Sequence, residues 1–194
     1  AFATAVKEHT LAILERFFEL HTQGRDAAMV GDKLPGDTST LRLLDLLPDT
    51  RFVLLSRDPR DVYCSWQKFL RKPEVAGASP LLQPPSVENF AHEWKNYYAG
   101  ALTHLRSFVH IRYRDLVRQR EDSLKRVMVY LGFDTAPEQL ARIEQAELFA
   151  VHGTTSSPEC SIGRWRTELR RDESRYIDAV CGDVMEQLGH RVAD

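Results

Sequence analysis

Apolar positions along the chain change their period several times, and each change marks an element. Val6, Leu11, Leu14, Phe17, Phe18 and His21 fall near helical spacing, which predicts an amphipathic helix over about 4–22. The run in "DAAMVGDKLP", ended by Gly, Lys and Pro, predicts a strand at about 27–31. Asp37, Thr38 and Ser39 offer N-caps to "TLRLLDLL", a short helix stopped by Pro48. "RFVLLS" predicts a second strand, and its unbroken hydrophobicity predicts cover on both faces. A helix from Pro59, a Pro- and Gly-containing loop at 72–85 and a longer helix from Ser86 lead to a third strand, "FVHIRY", at 108–113.

Beyond 113 the pattern is helical. "REDSLKRVMVYLG" predicts a helix closed by Gly132, and "APEQLARIEQAELFA" another with Thr135 as its cap. "VHGTTSSPECSIGRW" is polar and irregular, and "DESRYIDAVCGDVMEQLG" predicts a closing helix. Strands alternating with helices imply right-handed crossovers, so the expected fold class is α/β, a three-layer arrangement with a mainly parallel sheet flanked by helices. Without repeats or a linker, residues 1–194 read as a single domain. Ligands of such sheets sit outside the carboxyl ends of the strands. Lys33, Arg57 and Tyr113 lie at or just past three such ends, so parallel pairing would turn them toward one crevice.

Composition narrows the function classes. With a net charge of -2 and a sequence pI near 6.4, the chain lacks the basic coat of a general nucleic-acid binder, so any anion site must be built locally. Cys64, Cys160 and Cys181 are too widely spaced for a disulfide framework or a metal knuckle, and a reducing, cytoplasmic setting with buried thiols fits them. No stretch reaches the roughly 18 apolar residues of a membrane span.

The densest chemistry is "RFVLLSRDPRDVYCSW", where four charges crowd the exit of a strand. Asp58 as N-cap and Pro59 at the first helical position start a helix, with Asp61 in the place of a capping-box acid. Arginines there oppose the helix dipole. A bound anion would reverse that penalty, gripped by Arg57, the free N–H groups and Ser65, nearly two turns in. The competing reading pairs Arg57 and Arg60 with Asp58 and Asp61 on a solvated surface.

These residues resemble the 3′-phosphate-binding segment of sulfotransferases that use 3′-phosphoadenosine 5′-phosphosulfate (PAPS): strand, Arg, short turn, then a helix with Ser eight residues after the Arg. "VGDKLPGD", "HIRYRDLVRQREDSLKRVMVYLGFD" and "SIGRWRTEL" are similar to three further segments of that family, in order, over roughly 28–170. The resemblance implies a P-loop NTPase-like sulfotransferase fold, and PAPS as co-substrate for sulfuryl transfer to an unidentified acceptor, without a metal. Arg57 and Ser65 would hold the 3′-phosphate, and Tyr113 would lie against the adenine. Arg164 would reach a cofactor phosphate with Trp165 packing its loop, and Ser156, with Arg166 and Ser161, would add donors. Lys33 would be catalytic, offsetting charge on the transferring group. Read without the family, Tyr113 and Trp165 would be packing aromatics and Lys33 a solvated lysine.

The family's first strand and phosphosulfate loop have no counterpart in 1–27, and the chain opens on Ala1, so both are expected upstream. Pro35 stands where some members place a His base, and none of the seven histidines, scattered without pattern, is assigned to catalysis. Two further readings remain: a non-catalytic nucleotide-binding module that has lost the loop, and a nucleotide kinase-like α/β protein. The acceptor and the oligomeric state are not legible.

Overall fold

A computed structural model describes residues 8–13, 16, 17, 19, 20, 29, 41, 50–72, 85–104, 108–144 and 154–190, with the backbone alone at 141–144. The chain divides into two compact units, Ala1–Thr50 and Arg51–Asp194. In the first unit every described residue between 8 and 20 is helical, as the periodicity predicts, and Arg16 pairs with Glu19 one turn on at 2.9 Å. Apart from Met29, which is exposed and in no regular element, the strand expected at 27–31 lies outside the described residues, as do Lys33, nearly all of the helix before Pro48 and most of the 72–85 loop.

The second unit runs β1 (Phe52–Ser56), α1 (Pro59–Leu70), α2 (Val87–Leu102), β2 (Phe108–Arg112), α3 (Tyr113–Arg118), α4 (Arg120–Leu131) and α5 (Pro137–Glu144). A 3₁₀ turn (Glu159–Ser161), a one-turn helix α6 (Trp165–Glu168) and the closing helix α7 (Arg171–Gln187) follow. β1 and β2 pair in parallel, Phe52 beside Phe108 through Ser56 beside Arg112, so their carboxyl ends lie together. Among the described residues the unit is thus mostly helical around a two-stranded parallel sheet.

Helix boundaries follow local chemistry. The Ser86 side chain accepts the Asn89 N–H to cap α2, and α4 ends on Gly132. At φ +82° that residue closes a Schellman turn, with the Phe133 N–H reaching the Met128 carbonyl. A Cβ there would also meet the Arg51 guanidinium at 2.8 Å. The core lies between α7 and α2. Ile177, Cys181, Val184, Met185 and Leu188 form one stripe of α7 and are buried with Phe90, Ala91, Trp94 and Ala101 of α2. Tyr63 of α1 joins them, its ring 5.1 Å from that of Phe90.

Two expectations need correction. Among the described residues β1 is covered on one face: Leu54 and Ser56 are buried, whereas Val53 and Leu55 are 42% and 47% exposed. The alternation of a strand sends these pairs to opposite sides of the sheet. Tyr113 is not the end of the third strand but the first residue of α3.

Candidate functional site

The crowded exit of β1 sorts into ties that are already satisfied and one that is not. Asp58 caps α1, its Oδ1 accepting the Arg60 N–H at 2.9 Å. The Arg60 guanidinium folds back onto the same carboxylate at 3.0 and 2.7 Å, reaches Asp178 of α7 at 3.1 Å and lies 3.9 Å over the Trp165 ring. Arg60 is only 2% exposed, so its pairing is internal and not the solvated surface pairing considered from sequence. Burial alone would lower its pKa, but the hydrogen bond and charge of Asp58 outweigh it and the net direction is up.

Asp61 does not serve the capping box. Its carboxylate turns away from the helix start and accepts the N–H groups of Gly163 and Trp165 at 2.8 and 3.2 Å. Burial raises its pKa, and the two N–H bonds oppose that rise. Gly163 makes the convergence possible with φ +74°, and a Cβ there would sit 2.5 Å from Arg166 Nη1. The loop carrying Trp165 and Arg166 is thereby pinned against α1.

Arg57 differs. It forms no ion pair among the described residues; Nη2 donates to the Ser161 carbonyl at 2.6 Å, and its Cζ stacks 4.7 Å from the Tyr113 ring centre. Nε is buried without a hydrogen-bond partner. Burial lowers this arginine's pKa and nearby Arg164 lowers it further, while Asp61 and Tyr113 act the other way. A buried N–H left unsatisfied costs about 1–3 kcal/mol, which an arriving acceptor atom would recover. Behind it, the Ser161 hydroxyl lies 2.6 Å from the Pro158 carbonyl and 3.1 Å from Tyr113 Oη. The carbonyl can only accept, so it takes the serine proton and the tyrosine donates to Ser161 Oγ.

Two cavities flank this assembly. The smaller, about 220 Å³, is walled by Arg57, Arg114, Arg118 and Arg166 with Tyr113 and Trp165, and Asp58, Asp61 and His190 also border it. Four guanidiniums face two carboxylates that are already engaged, so the cavity favours an anion with a flat aromatic or apolar part. The larger, about 550 Å³, opens between Lys68, Arg71 and Lys72 on one side and Thr154, Thr155 and Ser156 on the other.

Of the residues singled out in the sequence, Arg57 and Tyr113 meet at the smaller cavity, where the parallel strand ends lie together, and Trp165 and Arg166 reach it from the late loop. Ser156 stands on the larger one, apart from them. Ser65 and Arg164 line neither. Ser65 Oγ is 3.0 Å from Thr154 Oγ1, which also accepts from Arg164 Nη1 at 2.8 Å. Arg164, 4% exposed, is held by Glu168 at 2.8 and 3.0 Å, and Glu168 also takes Lys68 at 3.0 Å. Arg57 and Ser65 therefore do not share one cavity here. Lys33 lies outside the described residues.

Sequence reasoning missed Arg114 and Arg118, although their four-residue spacing directly after Tyr113 was a usable signal once α3 is known. It also missed a pair of histidines that converge on one hydroxyl. His110 Nε2 and His190 Nε2 lie 2.7 and 3.0 Å from Ser56 Oγ, the residue before Arg57. Burial lowers the pKa of both imidazoles, His190 to about 4, so the pair is neutral. No local signal could have joined residues 56, 110 and 190. Among the described residues no group of His, Cys, Asp and Glu is placed to hold a metal, and no helix is long and apolar enough to cross a membrane.

Comparison with known proteins finds a matching family model and distant relatives. A model described as "Sulfotransferase family" matches residues 3–137, which stops short of the Gly163–Trp165 loop. The chain is 24% identical over 167 residues to Carbohydrate sulfotransferase 3 of Rattus norvegicus, covering 79% of this chain and 34% of that protein. It is 29% identical over 89 residues to Nodulation protein NoeE of Sinorhizobium fredii (strain NBRC 101917 / NGR234), covering 41% of this chain and 21% of that one. The aligned segments thus span between about a fifth and a third of those relatives' lengths. No solved structure matches.

Proposed function

The chain belongs to the sulfotransferase family, and from that premise we propose that it takes part in transfer of a sulfuryl group from PAPS to an acceptor hydroxyl or amine. The observation that carries the nucleotide reading is Arg57. It is a half-buried guanidinium with an unpartnered Nε, stacked on Tyr113 at the joined carboxyl ends of β1 and β2, on a cavity walled by three more arginines. Phosphates of the nucleotide would seat among Arg57, Arg114, Arg118 and Arg166, and the adenine would lie against Tyr113, with Trp165 packing the loop. Ser65 and Arg164 would take part in holding a phosphate by exchanging their bonds to Thr154. In the three-layer parallel fold of the family, Lys33 would stand at a third strand end and offset charge on the transferring group.

The chemistry is an in-line displacement. The acceptor's oxygen or nitrogen forms a bond to sulfur as the bond from sulfur to the donor's phosphate oxygen breaks, and the acceptor's proton leaves to a base. Positioning and charge stabilisation do most of the work, and arginines at strand ends and helix starts supply the second. Likeness to a carbohydrate sulfotransferase over 79% of this chain favours a sugar hydroxyl as the acceptor.

Calorimetry with the desulfated nucleotide, adenosine 3′,5′-bisphosphate, tests the reading. Micromolar or tighter binding is expected, with Arg57→Ala weaker by about 1.5–3 kcal/mol, the worth of a hydrogen bond to a charged group. Arg114→Ala, on the same cavity wall, should weaken binding in the same direction. Equal affinity in the wild type and both variants would overturn the nucleotide assignment.

A further inference from the structure

Ser56, His110 and His190 come from three elements and meet at the end of the sheet. Ser56 ends β1, and His110 lies on β2 in register with Leu54. His190 follows Gly189, whose φ of +73° closes α7 in a Schellman turn, with the His190 N–H on the Met185 carbonyl at 2.8 Å. Arg112 Nη1 ties that turn to β2 by donating to the Gly189 carbonyl at 2.7 Å. The two rings then share the fully buried Ser56 hydroxyl.

That hydroxyl limits what the cluster can hold. It carries one proton between two Nε2 atoms, so one imidazole donates to it and the other accepts from it. One added proton fits: a His190 imidazolium donates Nε2–H to Ser56, and the hydroxyl donates to a neutral His110. A second does not, because two imidazolium rings leave the hydroxyl no acceptor. Which ring takes the proton depends on its neighbours. His190 faces Asp58, the cap of α1, His110 and Arg112 of β2 and Arg114 of α3; His110 faces Arg112, Asp115 of α3 and Arg126 of α4. Of the two rings, His190 is the one that borders the smaller cavity, as Arg114 does. Burial first, then His110, Arg112 and Arg114, keep His190 neutral against the pull of Asp58. An anion seated in that cavity brings negative charge to the wall that His190 forms and offsets the repulsion from Arg114. Both effects favour the imidazolium.

We propose that binding of an anion in the smaller cavity is coupled to uptake of one proton by His190, with Ser56 and His110 accepting the rearranged hydrogen bonds. The proton comes from the medium, and no bond of the ligand changes. The proposal rests on the nucleotide reading of this cavity and adds a pH response to it. The sign follows from linkage: a ligand that raises the pKa of a group binds more tightly as pH falls through the raised value. Restoring His190 to its ordinary value of about 6.5 makes affinity at pH ~5.5 roughly tenfold higher than at pH ~7.5 from this proton, and a bound value of about 6 makes it roughly fourfold higher.

Nitrogen-15 NMR of the histidine rings in the full chain, assigned through bonds to the backbone, reads the proton directly and needs no variant. At pH ~5.5 the His190 ring should be neutral in the free protein and more than about three-quarters protonated with saturating adenosine 3′,5′-bisphosphate. Calorimetry of wild type and H190Q at pH ~7.5 and ~5.5, with thermal melts to verify folding, reads the consequence. The ligand's phosphates also titrate near pH ~6, but equally for both proteins, so the difference between them counts. Wild type should gain roughly four- to tenfold more affinity than H190Q on acidification. Sulfate, which keeps its charge over this range, is the second NMR probe. The proposal is overturned by a neutral His190 with nucleotide bound at pH ~5.5, by protonation of His110 in its place, or by equal pH dependence in wild type and H190Q. In each of these cases the nucleotide still binds and the reading of the site stands. Sulfate that binds and charges His190 while the nucleotide fails to bind would retain the proton coupling and remove the nucleotide reading. Failure of both ligands to bind would remove both.

Discussion

Acidifying this protein should destabilise it through one histidine. His190 caps the end of α7, 8% exposed, with Nε2 3.0 Å from the fully buried Ser56 hydroxyl, which His110 shares at 2.7 Å. A serine hydroxyl has one proton to give. Two neutral imidazoles satisfy it as one donor and one acceptor, whereas two imidazolium rings would leave its proton without a taker. Burial is the largest cause pushing the His190 pKa from 6.5 to about 4; Asp58 opposes, and His110, Arg112 and Arg114 add to the fall. The folded value lies below the unfolded one, so between about pH 6.5 and 4 the unfolded chain holds the extra proton. Stability is then lost as pH falls through that window. At about 1.36 kcal/mol per unit the full effect is roughly 3 kcal/mol, and about 2.5 kcal/mol of it is spent by pH ~4.5. Urea denaturation followed by tryptophan fluorescence reports on the right unit, because Trp66, Trp94 and Trp165 all lie beyond residue 50. His190→Gln keeps a polar group for Ser56 and removes the titration. The stability difference between wild type and variant should shift by about 2–3 kcal/mol from pH ~7 to ~4.5 against the wild type. A difference constant to within about 0.5 kcal/mol would refute the buried, neutral placement of His190.

Thiol reactivity and core packing give two further checks. Burial pushes the thiols of Cys64 and Cys181 up to about 12, whereas exposed Cys160 is lowered by hydrogen bonds from Ser157 and Ser156. Iodoacetamide near pH 8 should therefore label Cys160 fast and the other two only after denaturation; equal native rates for all three, read by mass spectrometry, would contradict that burial. Ile177→Ala in the fully buried stripe of α7 should cost about 2–5 kcal/mol in urea denaturation, and a loss under about 1 kcal/mol would mean that α7 does not pack on α2 as described.

What was legible in the sequence is what local chemistry determines. Asp58–Pro59 marks a helix start because a carboxylate cap and a proline at the first position act within two residues, and Gly132 marks a helix end because φ +82° disfavours a side chain. The parallel pairing of β1 with β2 was legible from the helices between them, and with it the meeting of Arg57 and Tyr113 at the strand ends. The rest depended on distance along the chain. Asp61 looks like a capping-box acid until the Gly163 and Trp165 N–H groups, over a hundred residues later, compete for it. Neither His110 nor His190 carries a neighbour that predicts Ser56. The open face of β1 escaped for a different reason: Val53 and Leu55 are as apolar as their buried neighbour Leu54, and hydrophobicity does not say which element will cover it.

The same competition explains why four charges crowd the exit of β1. Asp58 serves the helix start and Arg60 together, and Arg60 then ties α1 to α7 through Asp178 and to the late loop through Trp165. Asp61 fixes that loop from the other side. Three of the four are consumed in holding the frame, and truncating any one would leave a buried charge or a buried pair of N–H groups unmatched. Arg57 alone of the four has a partner set that is neutral, a carbonyl and a ring, and keeps a buried N–H in reserve. Bonded to no carboxylate and holding a buried N–H at the carboxyl ends of two parallel strands, Arg57 is the one of the four with hydrogen-bonding capacity left for an anion from outside. The proposed anion site is therefore centred on Arg57 and not on Arg60, although along the chain the two arginines look alike.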